Sequence, residues 1–152
     1  MTKRETDLNE IKRLLAEKDS DGVYDKAFGF INFYTEDEEI LLLLCQIFES
    51  DWHKAHEDMA RAFQGISNPI TAETLFKVTF SDFENYNWNE NYPMQRKCVW
   101  ALADIGTDEA INYLKQIEQQ ANETIAAFAT KRLLNWESEL GRKGPLSQFE
   151  NS

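Results

Sequence analysis

The 152 residues are 42% hydrophobic and 12% aromatic with only six Gly and three Pro, which argues against disorder and against a strand-and-turn protein and fits one domain with a real core. A formal charge of −11 argues against nucleic acid and anionic lipid as partners, since a polyanion repels both, and in favour of a cationic surface. No apolar run follows Met1-Thr2-Lys3-Arg4, and the longest apolar block, Ile40 to Cys45, is too short for a signal core or a membrane span, so a cytoplasmic protein is expected. Cys45 and Cys98 then read as buried reduced thiols, because both sit inside apolar helix patterns.

In chain order, Asp7 with Glu10 makes a capping box that opens a first helix bearing Leu8, Ile11, Leu14 and Leu15 on one face and ending before Asp19-Ser20-Asp21-Gly22. A second helix, about Val23 to Tyr34, carries Ala27, Phe28, Phe30, Ile31 and Phe33 around much of its circumference, which predicts burial on two sides. Thr35 with Glu38 is a second capping box. The helix behind it, with Leu41 to Leu44, Ile47 and Phe48, is the most apolar element and belongs at the centre of the N-terminal half. Ser50 and Asp51 turn into a fourth helix, roughly Trp52 to Gly65, and Asn68-Pro69 opens a fifth that fades near Phe83. Glu84 to Tyr92 interrupts the pattern with polar residues and aromatics.

From Pro93 a sixth helix places Met94, Cys98, Ala101, Leu102 and Ile105 on one face, and Gly106 stands where a left-handed cap is needed. Thr107 is the N-cap of a seventh, with Asp108 and Glu109 in its electropositive first turn and Ala110, Ile111, Leu114 and Ile117 along one side. An eighth runs from about Glu123 to Leu140 and is closed by Gly141, and Gly144-Pro145 opens a short tail whose Leu146 and Phe149 either fold back onto the last helix or leave it flexible. The expected fold is all-α, with eight helices pairing as antiparallel hairpins and no strand.

The pattern recurs upstream with a fixed offset: Met59, Ala62, Phe63 and Ile66 correspond to Cys98, Ala101, Leu102 and Ile105, and Leu75 and Val78 to Leu114 and Ile117. Downstream, Ala126, Ala129 and Leu133 repeat the first-helix pattern. These units, with the Ile105-Gly106 turn, resemble the HEAT-repeat family of antiparallel helix pairs, best over residues 93 to 136, fairly over 53 to 83 and weakly before that. The resemblance implies a short α-solenoid whose second helices line a concave face.

Signatures of catalysis are absent: the chain has no Gly-rich phosphate loop, GxSxG, Cys-x-x-Cys or Walker-type lysine. His53 and His56 share a helix face at a spacing that could hold a metal, but His-x-x-His-Glu matches neither the zinc-protease motif nor its inverse, and capping histidines explain the pair as well. No cofactor and no metal are expected.

Two surfaces are candidates for binding. Residues 36 to 58 set eight carboxylates against Lys54 alone, and Glu36, Asp37, Glu38, Glu39, Asp51, Glu57 and Asp58 form either a solvated face or a docking surface for a basic partner. On a helical wheel Trp100 points away from the core face, and the resemblance sets it on the inner side beside Arg96 and Asp104, with Arg61 and Phe128 at the equivalent places before and after it. Arg, Trp and Phe are enriched among interface hot spots. The same rings equally fit packing on a neighbouring helix, Phe128 above all, since its helix also carries Ile125, Ala127 and Trp136. In the insertion, Tyr86, Trp88 and Tyr92 alternate with Asn and Glu, as in a recognition loop or as a cover over the helix ends.

The expectation is a non-catalytic module that binds a basic protein, in size and charge like immunity proteins that mask nuclease-type toxins. The alternative is a small HEAT-like enzyme or lyase-type accessory protein holding a planar ligand in its concave groove.

Overall fold

A helix begins where a side-chain oxygen can satisfy amides that have no partner within the helix, and the caps of this chain set its element boundaries. The computed structural model describes residues 1–81, 83 and 92–143, with the side chains of the last helix described as far as Trp136. They form α1 (Lys3–Glu17), α2 (Ser20–Phe33), α3 (Glu38–Phe48), α4 (His56–Ile66), a 3-10 turn (Pro69–Thr71) running into α5 (Ala72–Thr79), then α6 (Pro93–Ile105), α7 (Asp108–Gln120) and α8 (Glu123–Lys143). Among the described residues there is no strand, so the protein is all-α.

The two expected capping boxes give way to stronger neighbours. α1 starts at Thr2 and Glu5, where the Glu5 amide donates to Thr2 Oγ1 at 3.1 Å and the Thr2 amide to Glu5 Oε1 at 2.8 Å, leaving Asp7 and Glu10 inside the helix. α3 is capped by Asp37, whose Oδ1 accepts from the Ile40 amide at 3.2 Å, and the Thr35 carbonyl accepts from Asn68 Nδ2 at 2.9 Å. α4 starts at His56 and not at Trp52, since His53 ties the intervening residues down as a loop. α5 stops at Thr79, short of Phe83, where the Thr79 hydroxyl turns back onto the Leu75 carbonyl at 2.8 Å. α8 runs past Gly141 to Lys143.

α2 starts at Ser20, capped by Asp19, and not at Val23, while three other expected signals match. Asn68 caps the turn before α5, Thr107 caps α7, and Gly106 takes a left-handed φ of 66°. Gly22 is needed for a different reason: a Cβ there would lie 2.5 Å from Leu14 Cδ2, at the tight junction of α1 and α2.

Packing sorts the helices into two layers. α2, α4, α6 and α8 lie side by side in that order, and α1, α3, α5 and α7 form the second layer, joined to the first mainly through α5 and α6, α6 and α7, and α7 and α8. The core lies between them, with Ile11, Leu14, Ile31, Leu44, Phe48, Met59, Phe63, Leu75, Leu102 and Leu114 fully buried. Each such side chain stabilises by about 1.5–3 kcal/mol before the entropy of ordering is set against it.

Position in the layer decides how much of each helix is covered. α6 has α4 and α8 beside it and α5 and α7 against it, so it buries Gln95, Val99 and Ala103 in addition to the expected Met94, Cys98, Ala101 and Leu102. α2 ends its layer and is not buried on two sides: Val23, Ala27 and Ile31 are inside, while Tyr24, Phe28 and Phe33 keep 61%, 38% and 63% of their surface. Cys45 and Cys98 are free buried thiols, which burial pushes up to about 11 and about 12. No described helix is long and apolar enough to cross a membrane.

Candidate functional site

The turn from α2 into α3 lines an open hollow of about 1000 Å³, formed by residues 33–39 and Leu42. Its walls are set from α1. The Tyr34 hydroxyl donates to Asp7 Oδ2 at 2.5 Å, and Arg4 reaches across to Asp37 at 2.6 and 3.0 Å and to Glu39 at 2.9 Å. Those hydrogen bonds from Arg4, with the Ile40 amide, hold the Asp37 carboxyl below its ordinary range. Arg4 thereby offsets one of the two charges of Asp37 and Glu39, whereas Glu36 and Glu38 are exposed without an ion pair among the described residues. Beside them Phe33 and Leu42 remain 63% and 43% exposed, so the hollow is both acidic and apolar.

Asp51, Glu57 and Asp58 lie elsewhere. They sit around the start of α4, next to the far end of α3, an 11-residue helix that spans about 16 Å. There Lys97 holds Glu57 at 2.9 Å and Arg61 holds Asp58 at 3.2 Å, leaving Asp51 without an ion pair among the described residues, so the acidic stretch is divided into two ends and the hollow carries most of the uncompensated charge.

The histidines of that far end serve the backbone. His53 Nδ1 accepts from the Ala55 amide at 3.1 Å, so its Nε2 carries the proton and donates to the Ile47 carbonyl at 2.7 Å. His56 Nε2 donates to the Ser50 carbonyl at 2.6 Å, and the two rings stack at 4.0 Å, with Phe83 stacked on the other side of His56 at 3.9 Å. The pair thus satisfies carbonyls where α3 ends. No group of three or more metal-ligating side chains occurs among the described residues.

Along the layer of even-numbered helices, the residues predicted as a row lie on successive members. The Arg61 guanidinium rests 4.8 Å over the Phe28 ring, joining α4 to α2. Asp104 receives Gln64 Nε2 from α4 and Arg132 from α8, both at 3.4 Å. Arg96 lies 5.3 Å over the ring of Trp100 and has no carboxylate partner among the described residues. Trp100 itself does not stand free. Flanked by α4 and α8, it is half-buried and packs on the core, as does Phe128. Phe28 was counted as core; the signal against that was its place off the Val23, Ala27, Ile31 stripe.

Tyr86 and Trp88 lie outside the described residues. Tyr92 is half-buried against the core with a left-handed φ of 47°, and it borders a hollow of about 270 Å³ with Phe80, Gln95 and Ile125, the position of an anchor more than of a free recognition ring.

Fold and surfaces define an all-α protein of two helical layers with an acidic, partly apolar hollow at one end and an Arg–aromatic face along one layer. No protein-family model, no curated protein and no solved structure matches the chain.

Proposed function

We propose that this chain is a non-catalytic protein-binding module built of HEAT-like hairpins, and that it docks a basic protein on its acidic end hollow, in the manner of an immunity protein masking a nuclease-like toxin. The observation that carries the reading is the coincidence, in one open concavity, of the unpaired Glu36 and Glu38 with the exposed Phe33 and Leu42. Carboxylates steer a cationic partner at long range, while desolvated apolar groups set the dissociation rate. The packing of α5 on α6 and of α7 on α8 supports the hairpin reading for that half of the chain, and the net charge of −11 supports the sign of the partner.

The test is affinity capture with the products of neighbouring genes included, followed by rapid-mixing kinetics on the captured complex at increasing salt. Association should slow steeply as ionic strength rises, since exposed charges are screened beyond about 8 Å at physiological salt. A partner of acidic character, or an on-rate indifferent to salt, overturns the proposal.

A further inference from the structure

At the edge of the hollow, on the Phe33 and Tyr34 that help line it, lies a ready-made seat for one ammonium group. Phe33 and Tyr34 stand edge to face, with centroids 4.9 Å apart and planes at 75°. The Lys3 ammonium lies 4.3 Å over the Phe33 ring and 5.6 Å from that of Tyr34, and it bonds Asp7 Oδ2 at 2.6 Å. The same carboxylate oxygen accepts from the Tyr34 hydroxyl, so the anionic floor is oriented by a ring that is only 8% exposed. Two aromatic faces and one fixed carboxylate are a cation-binding arrangement.

The seat is filled by a side chain that is itself 66% exposed, and beyond it the uncompensated Glu36 and Glu38 and the exposed Leu42 continue the same hollow. We infer that this box receives a lysine side chain of the basic partner, which displaces Lys3 from between Phe33, Tyr34 and Asp7. Lys3 thus stands in for the ligand in the free protein and competes with it. The inference rests on the reading of the hollow as the docking surface and adds to it which partner group enters first and where.

The probe is a synthetic amide-capped peptide of alternating leucine and lysine, with a glutamate-for-lysine version as control, titrated into the full chain while the ring resonances of Phe33 and Tyr34 are followed by NMR. Four proteins are compared: wild type, Lys3→Gln, Lys12→Gln and Phe33→Ala. Lys12 is exposed on the same helix outside the hollow, so its substitution changes net charge equally without emptying the box. Lys3→Gln should bind the lysine peptide about three- to five-fold more tightly than Lys12→Gln, and Phe33→Ala about three- to five-fold more weakly than wild type, the scale of an exposed cation–π contact. Equal affinities of the two glutamine variants, or an undiminished Phe33→Ala, overturn the box but leave docking at the hollow standing. Failure of the lysine peptide to move the ring resonances of the hollow removes both.

Discussion

A histidine that is buried uncharged in the folded chain titrates normally once unfolded, so each such ring links stability to pH. Burial, reinforced by the neighbouring His53, pushes His56 down to about 4 against the opposing pull of the Ser50 carbonyl and Asp51, and burial lowers His53 as well. Below about pH 6.5 the unfolded chain takes up protons that the folded chain refuses, so stability falls as pH falls and levels off near pH 4, by up to about 3 kcal/mol for His56. Urea unfolding at pH 7, 5.5 and 4.5 should show this slope, and His56→Phe, which keeps a ring against Phe83, should flatten it. Glu10, lowered to about 2 by hydrogen bonds from Arg13 and Lys26, acts only in the separate window below pH 4.5. Trp100→Ala belongs to the same scale. Since the ring is half-buried, its loss should cost about 2 kcal/mol, less than a core tryptophan, and a melt unchanged from wild type would contradict its packing on the core.

At the scale of the element, α3 depends on a side chain with two functions. Asp37 caps its first turn and holds Arg4 of α1, so Asp37→Ala should lower stability by about 1–2 kcal/mol, whereas Thr35→Ala, whose side chain caps nothing, should leave the melting temperature within about 1 °C. Equal effects of the two substitutions would mean that the cap lies at Thr35 after all. The turn between α6 and α7 makes a similar claim for Gly106: at a φ of 66°, Gly106→Ala should cost about 1 kcal/mol in a chemical melt, for an alanine there strains the backbone although space for its Cβ exists.

For the whole molecule the distribution of charge matters more than its sum. At the far end Glu57 and Asp58 are tied to Lys97 and Arg61, whereas in the hollow Glu36 and Glu38 have no ion pair among the described residues. The double substitution Glu36→Gln with Glu38→Gln should therefore slow association with a basic protein several-fold at low salt, and Glu57→Gln with Asp58→Asn less so. Stopped-flow traces at two ionic strengths separate the pairs, and equal effects would show that only net charge counts.

What the sequence determined by itself was the class of fold and most of its punctuation. The 3.6-residue spacing of Met94, Cys98, Ala101 and Leu102 admits one local structure, and Gly106-Thr107 and Asn68-Pro69 satisfy backbone groups locally, so no distant residue could overrule them. At the start of α3 the cap expected at Thr35 gave way to Asp37, whose carboxylate is also held by Arg4, more than thirty residues away. Exposure was decided by tertiary structure. A helical wheel knows one axis and one core, whereas Trp100 is half-covered because α4 and α8 flank α6, and Phe33 is bare because α2 ends its layer. The acidic stretch read as one surface until α3 held its two halves apart, and the lysine seat could not be read at all, since it joins Lys3 and Asp7 of one helix to Phe33 and Tyr34 of the next through contacts that only packing brings together.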